Sequence, residues 1–490
     1  MACYGFPGCV ALWSVWLLLA SPAVLSAQGS DTAEARSETD EEKPEGVLPP
    51  GLIQSRTVLP EMEIVKELYT DEQENKFKRE TKRGFDEALK GASLGDKEKK
   101  LLEEGAKYWV LRFTMEKYYR EETPKPDDSK AKDAGPKERL HDLRKTLLSD
   151  IRLFAKTPAV REYFLKQLTE QAKLLLDNNF VVRQNILLLL GQLPLDNGDL
   201  KKGIEPAPYD PAYSVLLDVI KDDKQHQAIK ITALVGLNRI CRFGLKDFND
   251  KRRVEIAMAL VAELGKKNLY YWYEVRLVEC LGETGVSYDP ADKTNPAVLQ
   301  KLAEILVDQS KHFWVRSEAA RAIGRLPLDN SINITPVTHH IVKLGYQMML
   351  GYNAKPKGES WMNYFFTPPG NGVNGSGLYF AFKSDTASSR VLGGKRKPGL
   401  LEALPGSKDV KDAYEQVLQM TLHFIDNPGK PFPDAKLKSI ESWIANHPIT
   451  NNKLTSNSPP LVEKPGPATP PKNTNGKANG TGNPPVVGPE

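Results

Sequence analysis

The chain has 490 residues, too many for one compact core at about 100–200 residues per domain, so it holds several units or one elongated array. Its 67 Lys and Arg against 63 Asp and Glu leave a net charge of +4, which excludes a dedicated nucleic-acid binder with its strong basic excess. A hydrophobic share of 40% can fill a core, a mean hydropathy of −0.44 excludes a multi-span membrane protein, and four cysteines exclude a disulfide-dense scaffold.

Residues 1–27 read as a secretory signal. The apolar run 10–20 is 11 residues long, the length of a signal core and short of the roughly 20 that span a bilayer. Ser21, Ala23, Ser26 and Ala27 follow it with the small side chains a signal peptidase needs. No Lys or Arg precedes Arg36, so an uncleaved N-terminal membrane anchor is the alternative. Either reading exports the chain, to a periplasm, an extracellular space or a cell surface. Residues 28–60 form a linker, acidic and then proline-containing. Its stretch 28–46 sets seven acidic side chains against two basic ones and offers almost nothing to bury.

Residues 61–136 are expected to form a helical N-terminal cap region. From 137 to 352 apolar residues recur at three- and four-residue spacing, as in Leu143, Leu147, Ile151 and Phe154, then Phe164, Leu168, Ala172 and Leu175. No alternating strand pattern is sustained, so the expected fold class is all-α. Self-similarity sharpens this. Phe180-Val181-Val182-Arg183 and Leu190-Gly191-Gln192-Leu193-Pro194-Leu195-Asp196-Asn197 return as Phe313-Trp314-Val315-Arg316 and Ile323-Gly324-Arg325-Leu326-Pro327-Leu328-Asp329-Asn330, each 133 positions later. Two weaker copies fit between them, and Arg183, Lys230, Glu274 and Arg316 then follow at steps of 47, 44 and 42. In the copy starting near Lys230, Asn238 stands where the glycine should be. Companion helices are expected over 211–221, 252–264, 297–309 and 336–350.

The stretch Trp314-Val315-Arg316-Ser317-Glu318-Ala319-Ala320-Arg321-Ala322-Ile323-Gly324-Arg325-Leu326 resembles the V-R-x-x-A-x-x-A-L-G-x-L signature of HEAT-like repeats. The resemblance implies a helical-repeat solenoid. It says little about activity, because such repeats serve scaffolds, adaptors, lyase subunits and a few enzymes. Within the motif, Gly191 and Gly324 remove a side chain where a second helix crosses, and Pro194 and Pro327 stop the helix. Asp196 and Asp329 turn the chain. Arg183 and Arg316 are read as rungs of an internal ladder, each bonding an Asp or a carbonyl of the adjacent repeat, rather than as anion ligands. Cys241 and Cys280 lie in apolar helical runs. They are read as two buried small hydrophobes, with a disulfide between neighbouring helices as the alternative, since facing helices usually stand too far apart for a bridge.

Residues 353–411 break the helical pattern. Two aromatic arms flank a Pro/Gly/Asn tip, as in a hairpin or a long structured loop, and nine Lys and Arg outweigh four Asp and Glu. Trp361, Tyr364, Phe365, Phe366, Tyr379 and Phe380, with Lys395, Arg396 and Lys397, are the candidate partner surface. A cap over the end of the array is the competing role for the same insert. A last helix pair is expected within 412–450, and a disordered tail over 451–490, where nine Pro, five Gly and seven Asn resist regular structure.

No chemistry-bearing motif emerges. Gly370-x-Gly372-x-x-Gly375 matches a dinucleotide fingerprint as a string, but Pro368-Pro369 precede it and no βαβ unit surrounds it. None of the seven His is followed by Glu, and His339-His340 point about 100° apart on a helix, poorly placed for one metal. Tyr270-Tyr271-Trp272-Tyr273 cannot all face one core, so at least one is expected at the surface. Asn333, Asn374 and Asn479 begin glycosylation sequons. The expectation is a non-enzymatic exported scaffold or adaptor that binds a protein partner, without cofactor, metal or nucleic acid. The alternative is a cell-wall or polysaccharide-binding module that uses the aromatic insert.

Overall fold

The computed structural model describes residues 66–118, 139–199, 204, 206–245, 250–289, 291–292, 294–356, 360–368, 375–384 and 398–466. All of them lie in one compact unit, Val58–Glu490. The expected signal and linker (1–60), the loop tip 369–374, the basic residues Lys395, Arg396 and Lys397, and 467–490 lie outside the described residues. Among the described residues the fold is all-helical, with isolated bridges in place of strands. None of these helices is long and apolar enough to cross a membrane.

The N-terminal helices are α1 (Asp71–Lys76), α2 (Lys82–Lys90) and α3 (Asp96–Leu111). Thr70 starts α1 with a reciprocal cap: its hydroxyl accepts from the Gln73 amide, and the Gln73 side chain accepts from the Thr70 amide at 2.9 Å. A wide turn, Phe77–Thr81, leads into α2, and Phe77 stacks on Tyr108 of α3 at 4.1 Å. Helix α2 packs on α3, on α4 (Leu140–Phe154) and on α5 (Pro158–Lys173).

A buried carboxylate organises this end. Glu74 accepts from Tyr118 at 2.9 Å and pairs with Lys78 at 2.8 Å, Arg112 at 3.1 Å and Lys117 at 2.5 Å. Burial alone would raise its pKa. The hydrogen bonds from Lys117 and Lys78, with the Arg112 charge beside them, outweigh that and hold it at about 2. A carboxylate depressed in the folded state contributes stability above its ordinary pKa and loses that contribution as the pH falls. The wild-type chain should therefore lose thermal stability relative to Glu74→Gln between pH 4.5 and about 2. Melting curves for both proteins across that window test this, and parallel curves would refute it.

From α6 onward the helices stack in two rows. The first row is α6 (Phe180–Gln192), α8 (Gln227–Arg239), α10 (Tyr271–Thr284) and α12 (Phe313–Gly324), each packed on the next. The second row is α7 (Tyr213–Lys221), α9 (Lys251–Glu263), α11 (Ala297–Val307) and α13 (Thr335–Ala354). Helices α7, α9 and α11 each pack on the first-row helix that follows. Close crossings explain the small residues. A methyl built on Gly191 would stand 2.8 Å from the Gly236 Cα, and one on Gly282 would stand 2.9 Å from the Ala322 Cα. The partner of Gly191 is thus Gly236, two residues before the Asn238 that the repeat spacing points to.

The repeat motif also turns the chain. Asp196 accepts from the amides of Gly198 and Ala207, both at 2.9 Å, and Asp329 accepts from the Ser331 amide at 2.8 Å. Pro194 lies just past α6, and the Pro327 carbonyl accepts from Ser287 at 2.8 Å. At the opposite ends of first-row helices, Asn179, His226 and His312 are N-caps, accepting from Val182, Ala228 and Trp314 at 2.9, 3.2 and 3.1 Å. Two of the seven histidines thus cap helices.

Of the two expected forms, a hairpin or a long structured loop, the described residues of the insert do not form the hairpin. Its arms are short helices, α14 (Trp361–Phe365) and α15 (Tyr379–Phe382), closed by one reciprocal pair between Thr367 and Ser376 at 2.9 and 3.1 Å. With α16 (Leu400–Ala403) they lie on α12, where the next first-row helix would stand. Helices α17 (Lys408–Asp426) and α18 (Asp434–Asn446) pack on α13.

The tail corrects the composition-based boundary at 451. Residues up to 466 form a strap with Leu454, Ser458 and Leu461 buried. Asn333 holds it through its amide to the Leu454 carbonyl at 2.8 Å, and through its side chain to the carbonyls of Asn451 and Lys453 at 3.1 and 2.9 Å. Further along, Glu463 pairs with Lys343 at 2.6 Å and accepts from Gln309 at 2.9 Å. Specific backbone partners, which composition does not register, offset the ordering entropy here.

Candidate functional site

The four repeat-equivalent polar positions form a ladder along the first row. Arg183 donates to Gln225 at 2.8 Å, Lys230 pairs with Glu263 at 2.9 Å, Glu274 pairs with Lys311, and Arg316 donates to Gln347 at 3.1 Å. Each partner comes from an element later in the chain, so each rung ties one helix pair to the next. Among the described residues the two arginines donate to Gln side chains, and Arg316 also to the Leu306 carbonyl at 2.9 Å, while the Asp308 carboxylate acts on Arg316 through its charge alone. Arg316 is buried, and burial brings its pKa down to about 10. A guanidinium so enclosed serves packing and does not offer itself to a dissolved anion.

The candidate partner surface on the insert needs correction. Trp361, Tyr364, Phe365 and Phe380 are buried, and Phe366 and Tyr379 are half-buried against each other and Phe380, with ring centroids 5.2–5.5 Å apart. The reason lies on α12. Ser317 donates to the Tyr364 carbonyl at 2.6 Å, Arg321 donates to the Gly375 carbonyl at 3.2 Å, and Gly324 admits the Ala381 backbone. Arg321 also meets Glu318 at 2.7 Å, and Arg325 meets Glu283 at 2.6 Å, all four side chains buried. Burial works to lower the Arg321 pKa, and the charges of Glu318, Glu279 and Glu283 outweigh it, so the guanidinium keeps its proton. The insert is thus packed onto the last first-row helix, with its aromatic rings turned inward.

One position that the insert covers on α12, that of Arg321, is more open on the helices before it. By the repeat steps, Leu188, Val235 and Glu279 are the counterparts of Arg321, and Trp272 is the counterpart of Trp314. Leu188 and Glu279 are half-exposed and Val235 is exposed. Trp272 is 38% exposed and Tyr270 is 40% exposed, both large for aromatic side chains in a folded array. Trp272 meets Trp314 edge-to-face at 4.5 Å, and Tyr271 stacks on His312 at 4.4 Å. Arg276, one turn along from Trp272, pairs with Glu279 at 2.5 Å. The result is an aromatic edge with a charged pair beside it, built by equivalent positions of successive helices.

No family model, curated protein or solved structure matches the chain.

The chemistry of this edge is that of contact. Among the described residues no group of three or more His, Cys, Asp or Glu is arranged to hold a metal. His339 and His340 are buried beside Trp443 and Glu463, and burial lowers both pKa values, that of His340 to about 4. The buried carboxylates Glu263, Glu274, Glu283 and Glu318 are each paired with Lys or Arg. In the sequence, the signal for the aromatic edge was the run 270–273, four aromatics that one core cannot all accept. Tyr273 is fully buried and donates to Glu263 at 2.9 Å, while Tyr270 and Trp272 face out.

Proposed function

We propose that this chain is a non-enzymatic, exported scaffold or adaptor, a HEAT-like solenoid that binds a protein partner on the open face of its first helix row. The two-row stacking and the inter-pair ladder support the solenoid reading. One observation carries the binding reading: Trp272 and Tyr270 stay exposed at α10, and their counterparts Trp314 and His312 at α12 are only half-buried, so the aromatic edge runs on from one helix to the next. Tryptophan, tyrosine and arginine are the side chains that most often dominate binding energy at protein interfaces, and Trp272, Tyr270 and Arg276 stand together here. The polysaccharide reading drew on Trp361, Tyr364, Phe365, Tyr379 and Phe380, of which only Tyr379 is more than marginally exposed. That leaves the edge at α10 as the better-supported surface.

The test is co-purification of the full chain from its native envelope, beside Trp272→Ala and a control at the exposed Val462→Ala. A stoichiometric protein partner retained by wild type and control should bind Trp272→Ala about thirty-fold more weakly, the effect of a hot spot worth about 2 kcal/mol. A partner held equally by Trp272→Ala, or retention on envelope glycan without a protein, would overturn this reading.

A further inference from the structure

A covalent site lies in the core, independent of the partner surface. Helix α8 ends in a wide turn, Ile240–Gly244, that packs on α10. Cys241 lies in that turn and Cys280 in α10; both are fully buried thiols, and their side chains contact each other. The objection to a bridge is the distance between two regular helices packed face to face. It does not hold at this place. A turn whose hydrogen bonds span five residues departs from regular helical register.

Arg253 fixes the arrangement. Its Nη2 donates to the Cys241 carbonyl at 2.8 Å and to the Leu245 carbonyl, and its Nη1 donates to the carbonyls of Glu283 and Thr284 at 3.0 and 2.8 Å. One buried guanidinium thus clamps the turn that carries Cys241 to the end of the helix that carries Cys280.

We propose that Cys241 and Cys280 form an intramolecular disulfide when the chain folds in the presence of a disulfide oxidant, either a small molecule or a dithiol oxidase. One cysteine thiolate attacks the oxidant's S–S bond and releases its first thiol; the second thiolate attacks the mixed disulfide and releases the other. The protein gives up two electrons and the oxidant takes them, while the two cysteine protons end on the released thiols. With both sulfurs covered in the finished core, exchange takes place during folding or on local opening of the turn.

The test uses the full chain refolded with oxidised glutathione, alkylated in guanidinium chloride without reduction, and digested with trypsin. The expected product is peptide 240–242 linked to peptide 277–293, lost on treatment with dithiothreitol. Alkylation of both cysteines, or linkage of either to Cys3 or Cys9, would overturn the proposal. A second measurement needs no variant. The oxidised chain should melt several degrees above the reduced one; a lower midpoint would mark a bond that the core packing rejects and would equally overturn it.

Discussion

Replacing Arg321 with methionine should destabilise the fold by about 3–5 kcal/mol, the usual cost of leaving one partner of a buried ion pair alone. Arg321 and Glu318 are both buried, and Arg321 also reaches the Gly375 carbonyl, so the substitution strands a carboxylate and unties the insert together. The Arg321 guanidinium meets Glu318 through two nitrogens. The double variant Arg321→Met/Glu318→Leu removes both charges and should recover most of the loss. Urea unfolding measures all three proteins. A single variant within about 1 kcal/mol of wild type would show that the pair is hydrated or dispensable.

A comparison of two glycines gives the second large effect. A methyl on Gly324 would overlap the carbonyl oxygen of Ala381, which is backbone and has no rotamer to change. A methyl on Gly345 would meet the Met420 Cε at 2.6 Å, the free end of the most adaptable apolar side chain. Both glycines lie in helices, where alanine is favoured by about 1 kcal/mol. Gly324→Ala should therefore cost about 1–3 kcal/mol, as overpacking does, and Gly345→Ala should be close to neutral. Chemical denaturation of both variants decides the matter, and equal losses would place the α12–α15 seam elsewhere.

These two sites show what a linear reading can reach. The companion helices at 213–221, 251–263, 297–307 and 335–354 were legible because apolar period and helix stops are local properties. The turning roles of Asp196 and Asp329 were legible for the same reason, since an Asp bonds amides close to its own turn. Of the two roles read for the insert, the exposed partner surface does not fit and the covering cap does, because its aromatic residues are packed on Ser317, Arg321 and Gly324, some fifty residues earlier. Composition marked the aromatics as sticky, and it carries no information on which surface they stick to. The strap was missed on similar grounds, since Pro, Asn and Gly predict an absence of helix and say nothing of carbonyls that Asn333 and Gln309 can bond. Gly236 was missed because the repeat spacing was carried across two residues of drift between α6 and α8.

The strap also sets an order of events during synthesis. Each helix pair can settle on the one before it as it leaves the ribosome, because its partners are already made. The clasp cannot close so early: Asn333 waits for Lys453, which is 120 positions later, and Gln309 waits for Glu463, which is 154 positions later. The loop between α12 and α13 therefore passes through a translational interval with Asn333 uncovered. A group attached to the Asn333 side-chain amide in that interval, such as the glycan its sequon invites, would occupy the place of the strap before the strap exists.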